Sequence, residues 1–172
     1  MTDIIEERAE DQDAVEALFD VAFAPGRANL SSYRLRIGAK PVEGLCLTAK
    51  DEFDVVVGAI RYWPIRIGDG PADRCAEALL LGPVAVHPTR QSEGLGARLI
   101  FDSLSRAETQ GWRIVLLVGD EPYYGRFGFR REAARRIAFP EPTNPKRVLG
   151  LALRPGALDG VVGAARPWNE SA

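Results

Sequence analysis

The period of the apolar residues changes along the chain, and each change predicts an element. Ile4 and Ile5 predict a short first strand. Over residues 11–23, Val15, Leu18, Val21 and Ala22 recur at helical spacing and predict a first helix. Asp13 and Glu16 stand in the places of a capping box, with aspartate for the usual hydroxyl residue, and Pro25-Gly26 ends the run. Residues 28–37 predict a shorter second helix with Leu30, Tyr33 and Ile37 on one side, punctuated by Gly38 and Pro41. From Gly44 the pattern becomes that of strands. Residues 45–49 and 55–63 flank the polar turn Lys50-Asp51-Glu52, which predicts an antiparallel hairpin.

The centre of the chain is residues 79–111. Leu79-Leu80-Leu81-Gly82-Pro83-Val84-Ala85-Val86 is almost unbroken in apolar character, as a strand buried on both faces would be. His87-Pro88-Thr89-Arg90-Gln91-Ser92-Glu93 interrupts it, and Gly94-Leu95-Gly96 opens a helix running to about Gln110. Gly111 sits where a left-handed terminator belongs. Residues 113–118 form the next apolar run. A helix joins it to the previous strand, so the two should be parallel with a right-handed crossover. Gly82-Pro83 inside a buried strand marks either a bulge or the end of an edge strand, because proline has no N–H for the ladder.

After Gly119, Asp120 is placed as an N-cap with Pro122 in the first turn of a single short helix. Residues 134–139 and 147–153 predict two closing strands around Pro140, Pro142 and Pro145, and residues 166–172 a loose tail. The expected order is β-α-α-β-β-β-α-β-α-β-β: a mixed sheet in a single α/β domain over residues 1–165.

Composition narrows the chemistry. At 172 residues, 46% apolar and 27% charged, the chain is an ordinary globular domain with a core of its own. A net charge of -2 gives no general attraction to nucleic acid, and the pairs Arg34/Arg36, Arg130/Arg131 and Arg135/Arg136 read as solvated surface. Cys46, Cys75 and a single histidine form neither a disulfide framework nor a metal spacing, so no metal is expected. The acidic N-terminus is no signal peptide, and no run approaches the ~20 apolar residues of a membrane span. A cytoplasmic protein is the expectation.

A strand, a glycine turn and a helix start together gather backbone N–H groups and the positive end of the helix dipole, which suits a phosphate. A P-loop is excluded, since no Gly-Lys-Ser or Gly-Lys-Thr occurs. A dinucleotide-binding turn would need a small residue where Leu99 stands. A third candidate fits. Val84 to Ala97, with the turn Gln91-Ser92-Glu93-Gly94-Leu95-Gly96 after Val86-His87-Pro88, resembles the acetyl-CoA loop of the GNAT N-acetyltransferase superfamily. A second motif follows the next strand: Tyr124-Gly125-Arg126-Phe127-Gly128-Phe129 matches the family's Tyr-x-x-x-Gly-Phe pattern. Residues 119–129 and 153–160 are similar to the YhbS-like branch of predicted acetyltransferases.

The resemblance implies a GNAT-like fold whose two central parallel strands splay after Val86 and Val118 to hold acetyl-CoA as cosubstrate. Backbone groups of Val84, Ala85 and Val86 would bond the pantetheine arm, with the Val84 N–H polarising the thioester carbonyl. Gln91, Ser92, Glu93, Gly94, Leu95, Gly96 and Ala97 would hold the pyrophosphate. Ser92 and Glu93 take places where family members often carry basic residues, and Arg90 and Arg98 are the nearest substitutes. Ala97, Ile100, Leu104 and Ala107 share one helix face directed at the core.

Tyr124 is the expected general acid for the departing thiolate, against the alternative of a tyrosine packed beside Tyr123. No general base is assigned: Asp120 reads first as the N-cap, His87 first as a turn residue before Pro88, and Glu77 equally as exposed surface. The implied activity is transfer of an acetyl group to a primary amine of a small molecule or peptide, by direct attack in a ternary complex. The alternative is a non-catalytic acyl-CoA-binding sensor or interaction module. The acceptor would meet residues 23–30, Tyr62 and Trp63 (the latter equally a core residue) and the C-terminal half. Homodimers are common in the family, and the sequence leaves that partner open.

Overall fold

The computed structural model describes residues 2–23, 27 and 30–169. In chain order the elements are β1 (Asp3–Glu6), α1 (Gln12–Ala22), β2 (Leu47–Lys50), β3 (Val56–Ile67), β4 (Ala76–Val86), α2 (Leu95–Thr109), β5 (Ile114–Val118), α3 (Glu121–Tyr124), α4 (Arg131–Ala134), β6 (Ile137–Ala138), β7 (Val148–Ala152) and β8 (Gly163–Pro167). The main path of the sheet runs β1-β2-β3-β4-β5-β7, with β8 on the far end of β3 and β6 beside β8. Pairing is antiparallel except for β4 with β5 and β6 with β8.

The expected double burial of the central strand is met residue by residue. Leu79 and Leu81 point to one face, into a core with Leu95, Leu99, Ile100 and Leu104 of α2. Ala78 and Leu80 point to the other, among Leu35, Ile65, Leu116 and Val148. Further along β4, Ala85 lies with Ala59 beneath Val15, Leu18 and Phe19 of α1. The sheet is therefore sandwiched, with α2 on one face and α1 on the other.

Several expectations are corrected. The first helix begins at Gln12, and Asp11 rather than Asp13 is its N-cap. Asp11 Oδ2 accepts the Arg8 backbone N–H at 3.1 Å, and its other oxygen meets Lys50 Nζ at 2.6 Å. Glu16 does not cap; its carboxylate binds Arg27 and Arg61. The Pro25-Gly26 terminator lies outside the described residues. Of the second helix only a 3-10 segment, Ser31–Arg36, is present among them. The closing strand expected over 134–139 shrinks to Ile137–Ala138 because the residues before it form α4. Arg166 and Pro167, expected in a loose tail, pair with Arg66 and Ile65 of β3 as part of β8. Among the described residues no helix is long and apolar enough to cross a membrane.

Candidate active site

The site is made by two departures from regular pairing. Along β3 and β4 the register runs Tyr62↔Leu81 and then Ile60↔Val84, so Gly82 and Pro83 together face Arg61. That is a bulge, which decides between the two readings of Gly82-Pro83. Arg61, the single residue opposite, is buried and fixed by Glu7 at 2.7 Å and by Glu16. The Gly82 carbonyl accepts the Trp63 indole N–H at 3.0 Å and an Arg36 N–H at 3.3 Å.

The second departure lies between β4 and β5. Their parallel register covers only Leu79↔Val115 and Leu80↔Leu116. Beyond it β4 continues along β3 to Val86, whereas β5 stays with β7 as far as Val118↔Val148. A cavity of about 350 Å³ opens where the strands part. One wall runs from Leu80 to Val84, the opposite wall from Leu117 to Asp120 with Tyr123, Tyr124 and Arg147, and Tyr33 and Arg36 close a third side.

The glycine turn lies at the end of β4. A 3-10 segment, Pro88–Glu93, leads through Gly94 (φ 74°) into α2. Open space surrounds the position a Gly94 side chain would take, so its glycine serves the left-handed backbone rather than helix packing. Gly96 does sit in a close approach: a Cβ there would meet the Tyr123 hydroxyl at 3.4 Å and Val86 at 3.7 Å. Gln91, Ser92, Glu93 and Gly94 are exposed, Leu95 is buried and Ala97 partly buried against the core. The Gln91 amide reaches back to the Val86 carbonyl at 3.4 Å.

The two arginines expected to replace the missing basic residues are already engaged. Arg90 pairs with Glu93 and donates to Thr2 Oγ1 at 2.9 Å, and Arg98 is directed to the Thr2 carbonyl at 3.4 Å. The turn therefore presents backbone donors with its side-chain charge internally neutralised.

Tyr124 ends α3 and lines the cavity. Asp120 precedes that helix as its N-cap, yet its carboxylate pairs with Arg147 at 3.2 Å instead of capping. The Tyr124 ring stands edge-on to Tyr123 (centroids 4.9 Å apart) and to Phe129 (6.2 Å). Gly119 makes room for it, since a Cβ there would lie 2.8 Å from Tyr124 Cδ2. Burial pushes the Tyr124 phenol up to about 12, with smaller contributions from Tyr123 and Asp120. It is protonated at every physiological pH.

Other candidates fall elsewhere. Tyr62 is fully buried with its hydroxyl 2.8 Å from Ser103 Oγ, so it belongs to the core rather than to acceptor recognition. Trp63 is partly buried and serves the bulge. Glu77 lies opposite Arg66 near the start of β4, and the His87 ring bonds Thr89 Oγ1 at 2.8 Å. Neither lines the cavity, whose one carboxylate among the described residues is Asp120. Three lining residues escaped sequence reasoning. In sequence Arg36 reads as surface, Arg147 has only its place in an apolar run to mark it, and the signal for Gly119 is the bulky Tyr123-Tyr124 pair that follows so closely.

A model of the Acetyltransferase (GNAT) family matches residues 9–129. The chain belongs to the GNAT acetyltransferase family. This GNAT chain is 26% identical over 119 residues to the uncharacterized N-acetyltransferase YhbS of Escherichia coli (strain K12), spanning 69% of each protein. It is 31% identical over 94 residues to the uncharacterized N-acetyltransferase YjhQ of the same strain, spanning 51% of this chain and 52% of that one. The crystal structure of E. coli YhbS in complex with CoA superposes with a TM-score of 0.80 at 24% identity, over 96% of this chain and 89% of that one. A GNAT family acetyltransferase from Brucella melitensis in complex with acetyl-CoA superposes with a TM-score of 0.70 at 28% identity, over 96% of this chain and 95% of that one. The single-domain α/β mixed sheet is thus the GNAT fold.

Proposed function

We propose that this GNAT protein transfers the acetyl group of acetyl-CoA to a primary amine by direct attack in a ternary complex. The observation that carries the proposal is the parting of β4 and β5 after Leu80 and Leu116, with the bulge on one lip and Tyr124 on the other. A CoA-bound and an acetyl-CoA-bound relative of the same fold support the choice of cosubstrate.

In this reading the turn from Gln91 to Ala97 holds the pyrophosphate through backbone N–H groups at the start of α2. The released backbone of Val84, Ala85 and Val86 binds the amide-rich pantetheine arm as an added strand would. The neutral amine attacks the acetyl carbon, and the carbonyl oxygen takes negative charge that the Val84 N–H stabilises. Collapse breaks the C–S bond and releases the thiolate, while the new amide nitrogen gives its proton to solvent.

Tyr124 faces that thiolate. A thiol titrates near ~8.5, far below the Tyr124 phenol at about 12, so the thiolate is too weak a base to take the phenolic proton completely. Tyr124 therefore acts as a hydrogen-bond donor that stabilises the leaving sulfur. The thiolate takes up a proton from solvent after leaving.

Release of CoA thiol, followed with acetyl-CoA and a panel of amines, tests the proposal. At least one amine should give thiol release matched by an N-acetyl product in the mass spectrum. Tight CoA binding with no turnover on any amine would favour a non-catalytic binding module instead.

A further inference from the structure

Three arginines meet between α1, the 3-10 segment Ser31–Arg36 and β3, and they are treated differently. Arg27 pairs with Glu16 at 2.5 Å and Asp20 at 2.9 Å. Arg61 pairs with Glu7 at 2.7 Å and with Glu16. Arg36 makes no ion pair among the described residues. Its Nε is buried without a hydrogen-bond partner, and its Nη2 makes a long bond to the Gly82 carbonyl at 3.3 Å.

Aromatic rings hold it in place instead. The Arg36 guanidinium carbon lies 3.4 Å from the centroid of Tyr33 and 4.8 Å from that of Trp63. Such stacking fixes the plane of a guanidinium, in which an anion can meet the N–H groups that remain. Burial pulls the group down to about 10, with Tyr33 acting against the shift, so the site holds a cation at a cost. Buried charges are ordinarily paired. Arg36 lines the same cavity as Tyr124, and the cavity's carboxylate, Asp120, is held by Arg147.

We propose that Arg36 receives a carboxylate of the acceptor, making the acetylated amine that of an amino acid or a similarly small amino-carboxylic acid. The proposal rests on the N-acetyltransferase reading and names its substrate class. Arg36 touches Gly82, two residues before Val84, so acid and amine would be separated by only a few atoms. A carboxylate fits better than a phosphate. One unpaired guanidinium balances one negative charge, and the neighbouring Arg27 and Arg61 are already paired with Glu7, Glu16 and Asp20.

The test compares matched acceptors on the intact protein: the common L-amino acids, their carboxamides, their decarboxylated amines and phosphoethanolamine. Amino acids should show a KM at least about tenfold lower than their carboxamides and amines, the gap expected of a charge-assisted pair. Arg36→Gln should erase that gap, and Arg36→Lys should restore part of it. Equal KM values for acids and carboxamides in the wild-type protein, which need no variant to fold, would overturn the proposal. A preference for phosphoethanolamine would overturn the carboxylate assignment. Absence of turnover with every amine would instead contradict the N-acetyltransferase reading. Calorimetry of the CoA-loaded protein with N-acetyl amino acids and N-acetyl carboxamides then decides on Arg36 alone: Arg36-dependent preference for the acid supports it, and equal binding refutes it.

Discussion

Trp63 donates its indole N–H to the carbonyl of Gly82 at 3.0 Å, at the one place where β4 carries an extra residue against β3. The contact ties the bulge to a side chain two positions along from Arg61 on the facing strand. Trp63→Phe keeps the ring against Arg36 but removes the donor, leaving the carbonyl only its longer bond to Arg36. Urea unfolding should show a loss of about 1 kcal/mol, the usual net worth of such a bond. Turnover should fall with it, because the lip of the cleft is no longer fixed.

Gly119 sets the position of Tyr124. A Cβ there would stand 2.8 Å from Tyr124 Cδ2 and 3.0 Å from Leu117 Cδ1, so the ring must shift to admit it. Gly119→Ala should lower kcat by roughly tenfold to a hundredfold, the effect of misplacing a reacting group by about 1 Å. The KM for acetyl-CoA should stay unchanged, since the turn proposed to hold the pyrophosphate lies at the start of α2. Steady-state kinetics with the best amine of the panel check both parts.

Glu93 is an exposed carboxylate in the turn assigned to an anion, and it holds Arg90. Glu93→Gln removes the negative charge and frees Arg90 from its strongest partner. Acetyl-CoA should then bind a few-fold more tightly, with the gain shrinking as salt is raised. Calorimetric titrations at low and high ionic strength measure it.

Asp11 and Lys50 form a buried pair at 2.6 Å that joins the start of α1 to β2. Burial alone would raise the Asp11 carboxyl, but the bonds from Lys50 and the Arg8 backbone outweigh it and hold it below the ordinary value. The stability it contributes is therefore present above the unfolded value of ~3.9 and is lost as the pH falls through the lower folded one. Lys50→Met should cost about 3 kcal/mol near neutral pH by leaving Asp11 buried and unpaired. It should also flatten the decline in stability below about pH 4. Denaturation curves from pH 2 to pH 7 test both.

The parts of this molecule that were legible in advance are those written in local pattern. The alternation of Ala78, Leu79, Leu80 and Leu81 announces a strand buried on two faces, and Gly94 and Gly111 mark the ends of α2. What escaped depends on partners far along the chain. Asp13 and Glu16 have the spacing of a cap, yet Lys50 and Arg61 claim Asp11 and Glu16 for tertiary pairs. The strand Gly163–Pro167 has small and polar residues with little strand propensity, and it forms because β3 extends to Ile67 and offers an edge. Arg36 looked like surface because its neighbours Tyr33 and Trp63 are brought over it only by the fold.

The central claim is that the leaving thiolate meets Tyr124 at the mouth of the parted strands. Replacing Tyr124 with Phe keeps the ring against Tyr123 and Phe129 and removes only the hydroxyl. Acetyl-CoA affinity by calorimetry and kcat by thiol release, measured on the same Tyr124→Phe preparation, separate binding from chemistry. The account predicts unchanged affinity with kcat reduced about a hundredfold, as for loss of one preorganised donor. Unchanged kcat would remove Tyr124 from the mechanism.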